Sequence, residues 1–197
     1  MTTITEKQPN DNMQLNKHLK VCFVFVFVVI TVIVLAFWQG LYSFVFAWTL
    51  NLMLMMGVLY ITETYKPRLT SNYYNSKKWE SKGAIYKWFG VNVFRKIMVW
   101  IGWEKLNKAS NPVKKNLDVI KQLEFRTRKS EFEHGIIFFI VLIFNMVVAF
   151  KYGILQSLWL FFLNLVLNVY PMVVQRYNRP RLRHIINRSD VAHLNKY

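Results

Sequence analysis

The chain has 197 residues, 54% of them hydrophobic and 17% aromatic, yet its formal charge is +16. A soluble domain of this length seldom needs so apolar a composition, and would spread those residues along the chain instead of gathering them in blocks. Blocks long enough to cross a bilayer, with Lys and Arg between and after them, are the pattern of membrane-protein loops, so the basic excess does not point to nucleic acid.

The only cysteine, Cys22, lies inside the first apolar block. That excludes a disulfide framework, a cysteine zinc site and a Cys-rich acyl-transfer motif. Residues 1–16 are polar without periodicity and read as a disordered tail. Residues 21–38 are almost unbroken hydrocarbon, with Thr31 the one interruption. Their Val, Ile and Phe content would suit a strand in water, but in lipid every backbone amide needs a partner within the segment, so a helix is expected. The block is too long for a signal peptide and no small-x-small site follows it, which makes it an uncleaved anchor. After a turn at Gln39-Gly40, residues 41–61 form a second span carrying Ser43, Thr49, Asn51 and Gly57, residue types that pack against neighbouring helices. So short a link makes the two spans an antiparallel hairpin. Residues 62–78, with Pro67, read as loop.

Residues 79–103 mix Trp79, Tyr86, Trp88, Phe89, Phe94, Trp100 and Trp103 with Lys87, Arg95 and Lys96. A spanning helix with Arg-Lys near its centre would cost about 2.5–3.5 kcal/mol per charge. Aromatic anchors with snorkelling cations fit a helical segment lying in the interface. Asn111-Pro112 marks a helix start, and the charged helical pattern from Val113 runs into the apolar block 135–150. That block alone is short for a span, so its helix begins earlier. A tight turn at Lys151-Tyr152-Gly153 precedes the fourth span, which is followed by Arg176, Arg179, Arg181, Arg183 and Arg188. The expectation is therefore an all-α integral membrane protein with four transmembrane helices, at about residues 20–38, 41–61, 133–150 and 154–175. These form one membrane domain over residues 17–182, with a basic cytoplasmic tail at 183–197. The connection 62–134 holds sixteen Lys and Arg while the two short turns hold only Lys151, which places both termini and the large loop in the cytoplasm and the protein in the cell (inner) membrane.

Asn164, Asn168, Pro171 and Gln175 sit at offsets of 0, 4, 7 and 11, one narrow helix face. If the preceding helix is continuous, Glu124, Thr127, Glu131, His134 and Asn145 share a face too. Counting outward from the turn near Tyr152, His134 falls level with Tyr170 and Pro171, and Glu131 with Val173 and Val174. Two polar stripes can thus meet near the cytoplasmic surface. The plainer reading, interhelical hydrogen bonding worth about 0.6 kcal/mol each, suits Asn145 and Asn164. Arg183 and Arg188 read as ordinary positive-inside anchors. A lone Glu-x-x-His pair falls short of a di-metal helix set, so no metal is expected.

The run Gln175-Arg-Tyr-Asn-Arg-Pro-Arg-Leu182, preceded by Asn168 and Pro171, closely resembles the ending of the glycosyl-4,4'-diaponeurosporenoate acyltransferase family, small membrane enzymes that place a fatty acyl group on the sugar of a glycosylated carotenoid acid. Thr127-x-x-Ser-Glu-x-x-His134 resembles that family's pattern before its penultimate span. Trp79-Glu-x-x-Gly83, with Phe89-x-Val91, Arg95 and Lys96, resembles its central region. The resemblance implies an O-acyltransferase with His134 as the base that takes the hydroxyl proton, Glu131 orienting its ring, and an amide of Asn168 or Gln175 serving the oxyanion. It implies further that Gln175, Arg176, Asn178, Arg179 and Arg181 bind substrate, the arginines holding phosphates of an acyl donor such as acyl-CoA, a co-substrate and not a bound cofactor. Membrane lipid and a lipid-like glycoside acceptor are the expected partners. The competing reading is a non-enzymatic membrane scaffold whose basic loop and tail grip anionic lipid or a partner; a weaker one is another lipid-modifying transferase.

Overall fold

The computed structural model describes residues 11–102 and 117–194. Among them every regular element is helical. The first helix, α1, spans Asp11–Gln39 and the second, α2, spans Phe44–Tyr65. Ser43 caps α2, its Oγ accepting from the Phe46 N–H at 3.1 Å, and Lys66 closes it in the left-handed region. Short 3-10 segments at Asn72–Tyr74 and Lys78–Lys87 lead through Gly90 into α3, Val91–Trp100. The long helix α4 covers Leu117–Tyr152, and a final rod is built from a 3-10 turn at Ile154–Ser157, α5 at Leu158–Asn164, a π-turn at Leu165–Val169 and α6 at Tyr170–Leu194. Four of these helical stretches are long and apolar enough to cross a membrane, as the sequence predicts.

Several boundaries differ from expectation. Residues 11–16, read as tail, already belong to α1, and residues 183–194 continue α6 past the apolar run. The helix start expected at Asn111-Pro112, and Trp103 at the end of the interfacial segment, lie outside the described residues. The helix α4 is continuous through its charged half, as the polar-stripe argument requires. Its 36 residues make a rod of roughly 54 Å, well beyond the hydrocarbon thickness, so Glu124, Thr127 and Glu131 project toward the polar side.

The main core is made by α2, α4 and α5: Phe46, Ala47 and Leu50 face Ile137, Val141, Val148 and Leu160. Helix α1 joins it through Val28 and Val32, with Val24, Leu35 and Ala36 partly buried beside them, and leaves Phe23, Phe27, Phe37 and Trp38 exposed, a surface suited to lipid. A second, smaller cluster of Tyr86, Val91 and Tyr177, with Val173 and Val174, seats the 78–100 segment on α6. Gly83 makes this close approach achievable: at φ +88° any side chain would be strained, and a Cβ there would stand 3.2 Å from the Tyr177 carbonyl oxygen. The opposite side of α3 carries Val93, Ile97, Trp100 and Ile101, all exposed, next to Trp88 at 91% and Phe89. One helix face packed on protein and the other bare and aromatic is the amphipathic pattern that the sequence assigns to an interfacial segment.

Candidate active site

Three arginines spaced 0, 3 and 7 on α6 meet three α4 residues on matching turns. Arg176 Nε donates to Glu131 Oε1 at 2.6 Å; Arg179 Nη2 pairs with Glu131 Oε2, its Nε donating to Thr127 Oγ1 at 2.9 Å; Arg183 Nε donates to Glu124 Oε1 at 2.8 Å. The stripe Glu124, Thr127, Glu131 read from the sequence is thus a partner surface for arginines. Arg183, expected to be a plain anchor, belongs to it. Arg179 and Glu131 are 2% and 3% exposed, so the pair holds its charges away from water. Such charges need complete hydrogen bonding, and Arg179 obtains it from the Thr127 and Tyr74 carbonyls at 3.0 and 3.2 Å.

Arg176 extends the network to a third element. Its Nη1 donates to Glu80 Oε1 at 2.8 Å, its Nη2 to the Tyr73 carbonyl at 3.2 Å, and its guanidinium lies 4.4 Å from the centre of the Tyr73 ring. Glu80 also accepts from the Tyr86 hydroxyl at 2.9 Å and the Lys77 N–H at 2.9 Å. Burial opposes ionisation of Glu80, but the Lys77 N–H, the Tyr86 hydroxyl and Arg176 outweigh it and hold the carboxyl below its usual pKa. Burial and the Glu80 carboxylate push the Tyr86 hydroxyl far up, so it remains a neutral donor.

Deeper along the same two helices lies a chain of amides. Asn51 Nδ2 donates to the Ala47 carbonyl at 2.8 Å and Asn164 Nδ2 to the Phe138 carbonyl at 3.1 Å, so each presents its Oδ1 as an acceptor. Asn168 answers both with one group, its Nδ2 donating to Asn51 at 2.7 Å and to Asn164 at 2.9 Å. That fixes which way the Asn168 amide faces. Its Oδ1 is left for His134 Nδ1, 3.3 Å away, which must carry the proton in that contact. In a neutral ring, Nε2 is then the nitrogen without a proton. Asn168 sits in the π-turn, and the carbonyl of Leu167 beside the same ring is the one whose α-helical partner would be the N–H of residue 171. Residue 171 is proline and has none. The proline and the π-turn together present a carbonyl and an amide to the histidine.

A cavity of about 430 Å³ opens between these features, lined by Tyr73, Lys77, Trp79, Glu80, Tyr86, Glu131, Val169, Met172, Val173 and Arg176. His134 and Asn168 are not among the lining residues, but their neighbours are: Glu131 is one turn before His134, Val169 follows Asn168, and Met172 Sδ stands 3.8 Å from where a Cβ on Gly135 would be.

Most of the expected site residues are brought into this region, but with altered roles. Among the described residues Glu131 forms no hydrogen bond with His134; both its oxygens are taken by Arg176 and Arg179. Asn168 has both amide hydrogens engaged, so it orients the histidine and has none left for an oxyanion. Gln175 reaches only Ser130 Oγ at 3.3 Å, Asn178 is half-buried on α6, and Arg181 points to a different face, stacked 3.7 Å from the Tyr177 ring centre. The register differs by a few residues from the outward count, since the π-turn inserts a residue and arginine side chains reach along the groove. Sequence reasoning missed Asn51, read as a packing residue, and the Tyr73, Glu80 and Tyr86 wall. The available signal was Glu80 itself, an acidic residue in a basic aromatic segment.

Helices of membrane-spanning length, a buried carboxylate–arginine lattice at one end and a histidine hydrogen-bonded to Asn168 near a largely apolar cavity give the chain the character of a small helical membrane protein. The chain belongs to the glycosyl-4,4'-diaponeurosporenoate acyltransferase family, whose model matches residues 70–188. Family membership carries with it acyl transfer in carotenoid biosynthesis, with an acyl donor and a glycosylated acceptor as substrates. No curated protein and no solved structure matches the chain. The matched region contains the arginine lattice, His134 and Asn168, whereas Asn51 enters from α2, outside it.

Removing one member of the buried pair leaves the other charge uncompensated. Glu131→Ala should therefore destabilise the detergent-solubilised protein by about 3 kcal/mol or more, whereas Arg183→Ala, at a partly exposed pair, should cost about 1 kcal/mol or less. Equal melting points for the two variants would contradict this. Glu80, with a folded-state pKa below its unfolded one, stabilises the protein fully above the ordinary value of about 4.3 and loses that effect as pH falls through the lower folded value. Glu80→Gln should flatten the acid loss of stability in that window; a variant as acid-sensitive as the parent would count against the arrangement.

Proposed function

We propose that the chain transfers a fatty acyl group to a sugar hydroxyl of a glycosylated carotenoid, or of a similar lipid-like glycoside, with His134 as general base. The observation that supports this reading is the amide chain Asn51–Asn168–Asn164, which turns Asn168 Oδ1 toward His134 Nδ1 and so favours the neutral ring with its proton on Nδ1 and Nε2 as the base. The cavity beside it offers aromatic faces from Tyr73, Trp79 and Tyr86 together with the charged groups of Lys77, Glu80, Glu131 and Arg176, a combination that suits a sugar ring with its apolar faces and hydroxyl rim. In this reading Nε2 takes the proton of the attacking hydroxyl as the oxygen adds to the acyl carbonyl. The tetrahedral intermediate then collapses, and His134 returns the proton to the departing carrier, the thiol if the donor is an acyl-CoA. Asn168 Oδ1 and the Leu167 carbonyl would stabilise the positive ring in between. The bilayer would hold the acyl chain and the apolar part of the acceptor. With sixteen cations in the 62–134 connection, both termini and this site would face the cytoplasm.

His134→Ala should lower acyl transfer about 10²–10⁴-fold while expression and membrane insertion stay normal. Asn168→Ala should reduce kcat more than it raises KM, because it disturbs the base and not the binding wall. Purified His134→Ala protein that turns over labelled donor and glycoside at the parental rate would remove this mechanism and favour a non-enzymatic scaffold.

A further inference from the structure

Most carboxylates with described partners are already engaged by cations of the lattice. Glu80 and Glu131 hold Arg176 and Arg179, Glu124 holds Arg128 and Arg183, and Glu63 and Glu133 hold Lys129. The arginines that the resemblance assigns to phosphate are therefore mostly occupied. Two are not. Arg181, from α6, and Arg95, from α3, approach the same Tyr177 ring, with Cζ 3.7 and 5.9 Å from its centre. Neither forms an ion pair with a carboxylate among the described residues, and both are exposed. Among the described residues, the one hydrogen bond of Arg181 is a long contact of 3.4 Å to the Tyr177 carbonyl, which leaves most of its donors without a described partner.

Two guanidinium groups gathered at one ring repel each other, and the ring faces offset only part of that cost. An anion placed against both would offset the rest. Tyr177 is buried in the small cluster that seats α3 on α6, so the ring is a fixed mount near which the two exposed cations gather. The bare apolar face of α3, with Val93, Ile97 and Trp100, would sink toward the acyl chains and set Arg95 and Arg181 at the level where membrane phosphates lie. Guanidinium forks match phosphate oxygens in pairs, and two forks match a doubly charged or bridging phosphate better than a carboxylate.

We infer that Arg95 and Arg181, mounted on Tyr177, form a phosphate-binding site at the membrane surface, separate from the Arg176–Arg179 lattice. The phosphate belongs either to a soluble carrier or to a lipid headgroup; only the naming of an acyl carrier as the soluble source rests on the proposed function. The test uses the purified full chain in phosphatidylcholine nanodiscs. One arm titrates coenzyme A and inorganic phosphate by calorimetry. The other exchanges phosphatidylglycerol into the discs and reads retained lipid by native mass spectrometry. The Arg95→Gln/Arg181→Gln protein should lose about tenfold in affinity in one arm, whereas Lys87→Gln/Lys96→Gln, which removes the same amount of charge from the neighbouring 78–100 segment, should stay at parental affinity. Loss in the first arm supports the site with a soluble phosphate, and loss only in the second supports it with a headgroup. Absence of binding by the parent, no change in either arm, or an equal loss in the lysine variant overturns it. If the glutamine variant melts early, Arg95→Lys/Arg181→Lys decides: charge without the fork should bind more weakly than the parent, and unchanged affinity overturns the assignment.

Discussion

The Glu131 carboxylate, gripped from two sides by Arg176 and Arg179, is the constraint on which the charged end of the helix bundle depends. Charges this deeply buried are tolerated only when each has several partners, and the partners come from three separate stretches: Thr127 on α4, Tyr73 and Tyr74 in the first 3-10 segment, and Glu80 in the second. Satisfying one carboxylate therefore fixes α6 against α4 and draws residues 73–86 over both. Arginine is required at these positions. A lysine ammonium has neither the reach nor the planar fork to serve a carboxylate and a carbonyl in different directions at once.

That constraint leaves the neighbouring turn free to be irregular. Between Leu165 and Val169 the rod widens to a π-turn, and Pro171 follows immediately. Loss of regular backbone hydrogen bonding inside a membrane-length helix is costly unless other groups take over. Here the amides of Asn51, Asn164 and Asn168 and the ring of His134 supply a polar network at that level. The helix defect and the histidine thus support one another, and the cavity bounded by Val169, Met172 and Glu131 lies next to them.

Much of the architecture was legible in the sequence because hydrocarbon blocks in lipid have only one economical conformation. The number of spans, the hairpins, the amphipathic character of residues 91–100 and the grouping of Glu131, His134 and Asn168 all follow from periodicity and composition. What escaped was pairing. Glu131 lies one turn from His134, and nothing in the spacing says that two arginines some forty-five residues later will claim both its oxygens. Arg176, Arg179, Arg181 and Arg183 look alike as a string, and only the helical rotation separates three lattice arginines from Arg181 on the Tyr177 face. Asn51 gave no cue to its role because its partner is more than a hundred residues distant.

The central claim is that Asn168 holds His134 as the neutral Nδ1–H tautomer with Nε2 available to a substrate hydroxyl. Nitrogen-15 NMR of histidine-labelled protein in nanodiscs tests it most directly, with the His134 signals assigned by their absence from a His134→Gln sample. The account predicts a protonated Nδ1 and an unprotonated Nε2 whose resonance moves when a glycoside acceptor is added. A proton on Nε2, or an Nε2 resonance indifferent to the acceptor, would contradict it.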